Sequence, residues 1–154
     1  MSDPISPGFP GSPGQPVPPS PPSPASTTRP VAILVTHGVL GRELVRTVES
    51  ILGEQHDAIT ISNTGLSADA LVERIVSEIE RLPDHAPVVL FSDLAAGSCG
   101  IASRRAELGG RPLKRIAGVN LPMLLEFFHY RDSLPLDLLL PRMEAKGKAG
   151  IIVF

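Results

Sequence analysis

The chain has 154 residues, a formal net charge of −2 and one cysteine, Cys99. That length suits one domain, and near-neutral charge with acids and bases interspersed argues against a nucleic-acid surface. A lone cysteine excludes an intramolecular disulfide and a cysteine-rich metal site, which fits the cytoplasm, and no run of ~18 apolar residues exists to span a membrane.

Residues 1–30 differ from the rest. They hold 11 of the 17 prolines and few large apolar side chains, so they are expected to be a disordered tail of polyproline II character. They lack the basic opening and apolar core of a signal peptide. PVPPSPPSP carries PxxP spacing, although a plain tether is the commoner use of such a segment.

From Val31 onward short β-branched runs alternate with helical periodicity. VAILVT (31–36) is a continuous apolar run of the length of a strand buried on both faces. Leu40, Leu44, Val48, Ile51 and Leu52 then recur at three- and four-residue spacing, an amphipathic helix that Gly53 is placed to end. AITIS (58–62) predicts the second strand. Ser67 can cap the next helix, with Asp69 in its first turn, and Pro83 stops it. PVVLFSD (87–93) predicts a third strand, followed by a short helix from about Ser98 to Leu108 closed by Gly109 and Gly110. LKRIAGV (113–119) predicts a fourth strand. Asn120 caps a helix to about Tyr130 with Pro122 in its first turn, and LPLDLLLPRMEAKG is helical with a break threatened at Pro141. GIIVF (150–154) reads as a terminal strand.

This alternation predicts an α/β fold, a doubly wound and mainly parallel sheet. Catalytic groups in such sheets gather outside the carboxyl ends of the strands. Three loops are thereby singled out: THG after the first strand, SDLAAGSCG after the third and AGVNLP after the fourth. His37 and Asp93 end strands that can be neighbours. A carboxylate that accepts a hydrogen bond from one imidazole nitrogen leaves the other free to attack and stabilises the cationic ring that forms. No G-x-S-x-G elbow, P-loop or G-x-G-x-x-G fingerprint is present. The histidines fall at 37, 56, 85 and 129, without zinc spacing, so neither a metal nor a cofactor is expected. The use left for a nucleophilic histidine is to carry a group itself, most plausibly a phosphoryl. Glycine and serine in AAGSCG offer anion-binding groups at a helix start.

ILVTHG, SDLAAGS and IAGVNLPMLLE stand in the same order and at similar spacing as the signature segments of the mannose-family enzyme IIA of the bacterial sugar phosphotransferase system. The chain resembles that family over essentially all of 31–154. The resemblance implies a flavodoxin-like domain that forms a homodimer, with GIIVF as an antiparallel edge strand that can pair with the partner subunit's sheet. It implies that His37 is phosphorylated on Nε2 by the phosphocarrier HPr and passes the group to an enzyme IIB. The membrane is then reached only through permease subunits. Asp93 would orient the ring through Nδ1. Thr36, Gly38, Gly97 and Ser98 would neighbour the phosphate, and Asn120 and Pro122 would line the site.

The likeness departs from the pattern after Asp93. Family members usually have two adjacent glycines, Ser or Thr, then Pro, whereas this chain has Ala96-Gly97-Ser98-Cys99. Cys99 reads as a small buried residue rather than a reactive thiol. The proline-rich tail in front of the domain is a second departure. A regulatory phosphoprotein that signals through the state of His37 without sugar transport would use the same histidine. A donor to dihydroxyacetone kinase has a similar histidine loop, but AGVNLPMLLE favours the mannose type.

Overall fold

The computed structural model describes residues 29–106 and 113–154. Apart from Arg29 and Pro30, the tail expected to be disordered lies outside these residues, as do Gly109 and Gly110. The elements are β1 (Val31–Thr36), α1 (Leu40–Leu52), β2 (Ala58–Ser62), α2 (Ala68–Glu80), β3 (Val88–Ser92), α3 (Ser98–Arg105), β4 (Leu113–Ala117), α4 (Leu121–Tyr130) and α5 (Leu136–Ala149). The four strands form one parallel sheet in the order β2-β1-β3-β4.

The run VAILVT is buried throughout because both faces of β1 are covered. Ile33 and Val35, with Val88 and Leu90 of β3, face one side. There they join Leu71, Ile75 and Ile79 of α2 and Ala102 of α3. Ala32, Leu34, Val89 and Phe91 face the other side, against Val45 and Val48 of α1, Leu124 and Phe127 of α4, and Leu139 and Met143 of α5. The two-residue period of the strands thus sorts one apolar run into two cores. Phe127 meets Phe91 edge to face, with ring centroids 5.4 Å apart.

Capping follows the sequence. Gly53 ends α1 with a φ of 85°, which a residue without Cβ adopts at no steric cost. Ser67 Oγ accepts a hydrogen bond from the Ala70 N–H at 3.2 Å, and Asn120 Oδ1 accepts one from the Met123 N–H at 3.1 Å. α5 runs through Pro141 without breaking. The N–H that proline lacks would have bonded the carbonyl of Asp137. Both residues are exposed, so that carbonyl lies on the wet side of the helix.

The terminal segment departs from expectation. GIIVF forms no strand in this chain, and the antiparallel edge is absent from the described sheet. The Ile151 N–H bonds the Lys148 carbonyl, which carries the chain one residue further in the sense of α5, and Ile151 lines a cavity with Arg115, Ile116 and Ala117 of β4 without pairing with that strand. Ile151, Ile152, Val153 and Phe154 are exposed.

The strand order sets where a site can form. β1 lies between β2 and β3, with Thr36 opposite Ser62 on one side and Val35 opposite Ser92 on the other. The residues that follow β1, β2 and β3 therefore emerge side by side at the carboxyl edge, while those that follow β4 emerge beyond β3. Leu34 is wholly buried at the centre of this arrangement. Leu34→Ala should lower the free energy of unfolding by about 2–5 kcal/mol, read as a shifted urea midpoint; a loss under 1 kcal/mol would show that the site refills its cavity.

Candidate functional site

His37 and Asp93 meet at the carboxyl ends of β1 and β3. His37 Nδ1 lies 2.8 Å from Asp93 Oδ2, and the backbone N–H of His37 donates to the same oxygen at 2.9 Å. The other carboxylate oxygen accepts from the Leu94 N–H, also at 2.9 Å. Burial by itself would raise the Asp93 carboxyl. The bonds from His37 and Leu94, together with the charge of the ring, outweigh it and hold the group below its ordinary value. An ionised carboxylate has no proton to give, so Nδ1 carries the hydrogen. In the neutral ring Nε2 then keeps its lone pair. The Asp93 side chain is only 9% exposed while that of His37 is 44% exposed, so the orienting group is covered and the ring it orients is open.

The glycines around the ring are set by space and by backbone angle. Gly38 turns the chain out of β1 with a φ of 55°. Gly97 has a φ of 90°, and a Cβ there would stand 3.9 Å from His37 Cε1. The ring thus lies over the start of α3, whose first-turn N–H groups have no partners within the helix. Gly100 has a different constraint: a Cβ would run into the backbone carbonyls of Leu94 and Ala95. Arg104 donates to the same Ala95 carbonyl. Ala96, where a second glycine is usual in the family resembled, is exposed and is not among the residues with positive φ. Its methyl group therefore meets neither a steric nor a backbone penalty.

Cys99 is fully buried beneath the ring, its Sγ 3.7 Å from His37 Nδ1. Burial, with the Asp93 charge added, pushes its thiol up, and the contact with Ser98 only partly offsets this. It is the small core residue its sequence position implies. His37 Nδ1, an Asp93 oxygen and Cys99 Sγ all lie within 4.8 Å of one another, a group of metal-ligand type. Around a tetrahedral zinc with bonds of ~2.0–2.1 Å, ligand atoms stand about 3.3 Å apart. At 2.8 Å, Nδ1 and Oδ2 are at the distance of a shared proton instead.

Other expected neighbours are used differently. Thr36 is buried, and its hydroxyl accepts a hydrogen bond from the Gly41 N–H at 2.8 Å. It does the work of a cap for α1, whose own N-cap, Val39, has no side-chain acceptor. Asn120 joins α4 to α5, donating to the Gly147 carbonyl at 3.1 Å. Pro122 packs against Gly150. None of the hydrogen bonds of Asn120 reaches His37, because β4 is separated from β1 by β3. The neighbour that sequence reasoning missed is Asn63, the residue after β2. Its Oδ1 accepts from the Gly38 N–H at 3.3 Å, and its Nδ2 donates to Ser98 Oγ at 3.1 Å. A polar residue just past a strand of a parallel sheet was the available signal, but choosing that strand required the strand order.

Comparisons with known proteins show the family and the fold. Residues 31–142 match the family EIIA-man, described as PTS system fructose IIA component. The PTS system mannose-specific EIIAB component of Escherichia coli (strain K12) is 32% identical over 124 residues, covering 79% of this chain. The chain spans 38% of the length of that relative, and the same values hold for the protein of that name from Shigella flexneri. The phosphotransferase system component EIIA from Streptococcus agalactiae superposes with a TM-score of 0.73 at 24% identity, over 81% of this chain and 97% of that one. The mannose/sorbose specific IIA subunit from Enterococcus faecalis gives 0.72 at 22%, over 82% and 95%. At these identities the structural likeness establishes a shared fold.

Gly100 offers a test whose sign is informative. Within a helix, alanine is ordinarily better than glycine by about 1 kcal/mol. Here the methyl group would displace the Leu94–Ala95 backbone, so Gly100→Ala should lower the melting temperature by several degrees; an increase would show that the loop yields freely.

Proposed function

The chain belongs to the EIIA-man family of the phosphotransferase system, and on that premise we propose that it is a phosphoryl carrier. His37 takes a phosphoryl group from phospho-HPr and hands it to an enzyme IIB, in the service of sugar uptake. The observation that carries this reading is the single Asp93 oxygen bonded to both the backbone and the ring of His37, with the ring itself exposed. A histidine tied down on Nδ1 and open at Nε2 is a poised nucleophile.

The steps follow from that arrangement. The Nε2 lone pair attacks phosphorus in line with the donor bond. That bond breaks, and its electron pair returns to HPr. Nδ1 keeps its proton throughout, so the phosphorylated ring is cationic and lies 2.8 Å from an anionic carboxylate. Asp93 thus stabilises the loaded state without itself taking a proton. The His37 ring lies over Gly97, so the N–H groups that open α3 and the Ser98 side chain that follows are the groups best placed for the negative oxygens of the group in flight. In the second half a nucleophile of IIB attacks phosphorus, and the P–N bond pair returns to Nε2. No residue of this chain changes its net protonation over the cycle.

Homodimerisation is part of the proposal. Four exposed apolar residues, Ile151–Phe154, lie on the same chain as an edge strand, β4, that has no outer partner among the described residues. Deleting 151–154 should reduce the mass seen by light scattering to that of one chain; a dimer that survives would place the interface elsewhere.

The carrier reading is tested with phosphoenolpyruvate, enzyme I and HPr. The chain should acquire an acid-labile phosphoryl group, and His37→Ala should abolish it. Label persisting in that variant would remove the central claim. Asp93→Asn leaves the nucleophile but loses the counter-charge, and should slow transfer by about 10²–10⁴-fold. An unchanged rate would refute the orienting role.

A further inference from the structure

We propose that Asn63 is a positioning residue for phosphoryl transfer, acting through Ser98: it fixes the serine hydroxyl as a donor to the phosphoryl group carried by His37. This rests on the carrier reading above and deepens it.

Donors and acceptors fix how the Asn63 amide is oriented. The Asn63 amide meets two groups, the Gly38 N–H at 3.3 Å and Ser98 Oγ at 3.1 Å. A backbone N–H can only donate, so the amide oxygen must face Gly38 and the amide nitrogen must face Ser98. The reverse orientation would set two donors against each other. Ser98 Oγ is therefore compelled to accept from Asn63, and its own proton must go elsewhere. Its other neighbour is Cys99 Sγ, a weak acceptor at 4.0 Å. Asn63 thus leaves the Ser98 proton available for a better acceptor.

The place where that acceptor would appear is defined by the ring. Ser98 follows Gly97, over which the His37 ring lies, with Cε1 3.9 Å from the position of a Cβ. Cε1 is the ring carbon between Nδ1 and Nε2. Nδ1 is held by Asp93, so the phosphoryl group on Nε2 stands on the open side, near the start of α3. A phosphoryl oxygen there accepts the Ser98 proton in a charge-assisted bond. Asn63 is brought to this point by β2. Ser62 pairs with Thr36 in the sheet, and the Asn63 N–H donates to the Thr36 carbonyl at 3.1 Å. The amide thereby staples the chain after β1 to the first turn of α3, the two segments between which the phosphoryl group must fit.

The experiment is steady-state transfer from phospho-HPr to the full chain, with melting temperatures taken alongside. Asn63→Ala should lower kcat about tenfold, the order expected for one hydrogen bond to a charged group, with KM for phospho-HPr within twofold of the parent and the melting temperature little changed. Asn63→Asp still accepts from Gly38 but cannot donate to Ser98, and should be at least as slow. Ser98→Ala should match the loss. Asn63→Ala combined with Ser98→Ala should be no slower than Ser98→Ala alone, because the amide has nothing left to orient. Parental kcat in either Asn63 variant, or losses that multiply in the double variant, would overturn the proposal. A parent chain that takes no phosphoryl group on His37 would overturn the carrier reading, and this inference with it.

Discussion

Two hydrogens of His37, one on its backbone nitrogen and one on its ring, converge on a single oxygen of Asp93, and that convergence is what the rest of the molecule serves. It needs two strand ends held side by side, which the parallel pairing of β1 with β3 provides. It needs a turn out of β1 with no side chain in the way, which Gly38 provides at a φ of 55°. It also needs a covered carboxylate under an open ring, because a counter-charge in water would be worth little. Burial raises the Asp93 carboxyl, and three hydrogen bonds bring it down again. The charge is kept in a place where it would otherwise be lost.

The two cores explain why these strand ends do not drift. α2 and α3 cover one face of the sheet, and α1, α4 and α5 the other. Every residue of β1 is clamped by its alternation between them. Hydrogen bonds fasten the loops in turn. Thr36 secures the first turn of α1, Asn63 links the β1 loop to α3, and Arg104 and Gly100 hold the Leu94–Ala95 backbone against α3. The region after Asp93 therefore tolerates Ala96 and Cys99. The first is exposed on an unstrained backbone, and the second is an inert part of the core.

Much of the fold was legible because its signals are local. Helix and strand periods, the Ser67 and Asn120 caps and the glycine after α1 depend on residues within a turn or two of each other. Where the reading wavered or failed, the deciding term was not local. The helix through Pro141 is read correctly from the sequence but its middle stays in doubt there, and α5 carries the proline because the lost hydrogen bond falls on the exposed side while Leu139 and Met143 stay buried. GIIVF has the composition of a strand, but a strand exists only beside another strand, and within one chain it does not pair with the open edge of β4.

The sequence by itself determined the class of the sheet and singled out His37 and Asp93 as a pair, since a histidine and a carboxylate at the ends of buried strands have few other uses together. It could not determine which third loop meets them. AGVNLP, after β4, was named and Asn63, after β2, was not, and it is strand order that brings Asn63 to the His37 loop. β2 lies next to β1, whereas β4 lies beyond β3. Strand order is settled by how helices pack across both faces of the whole sheet, an energy summed over residues far apart in the chain, and no short stretch of sequence contains it.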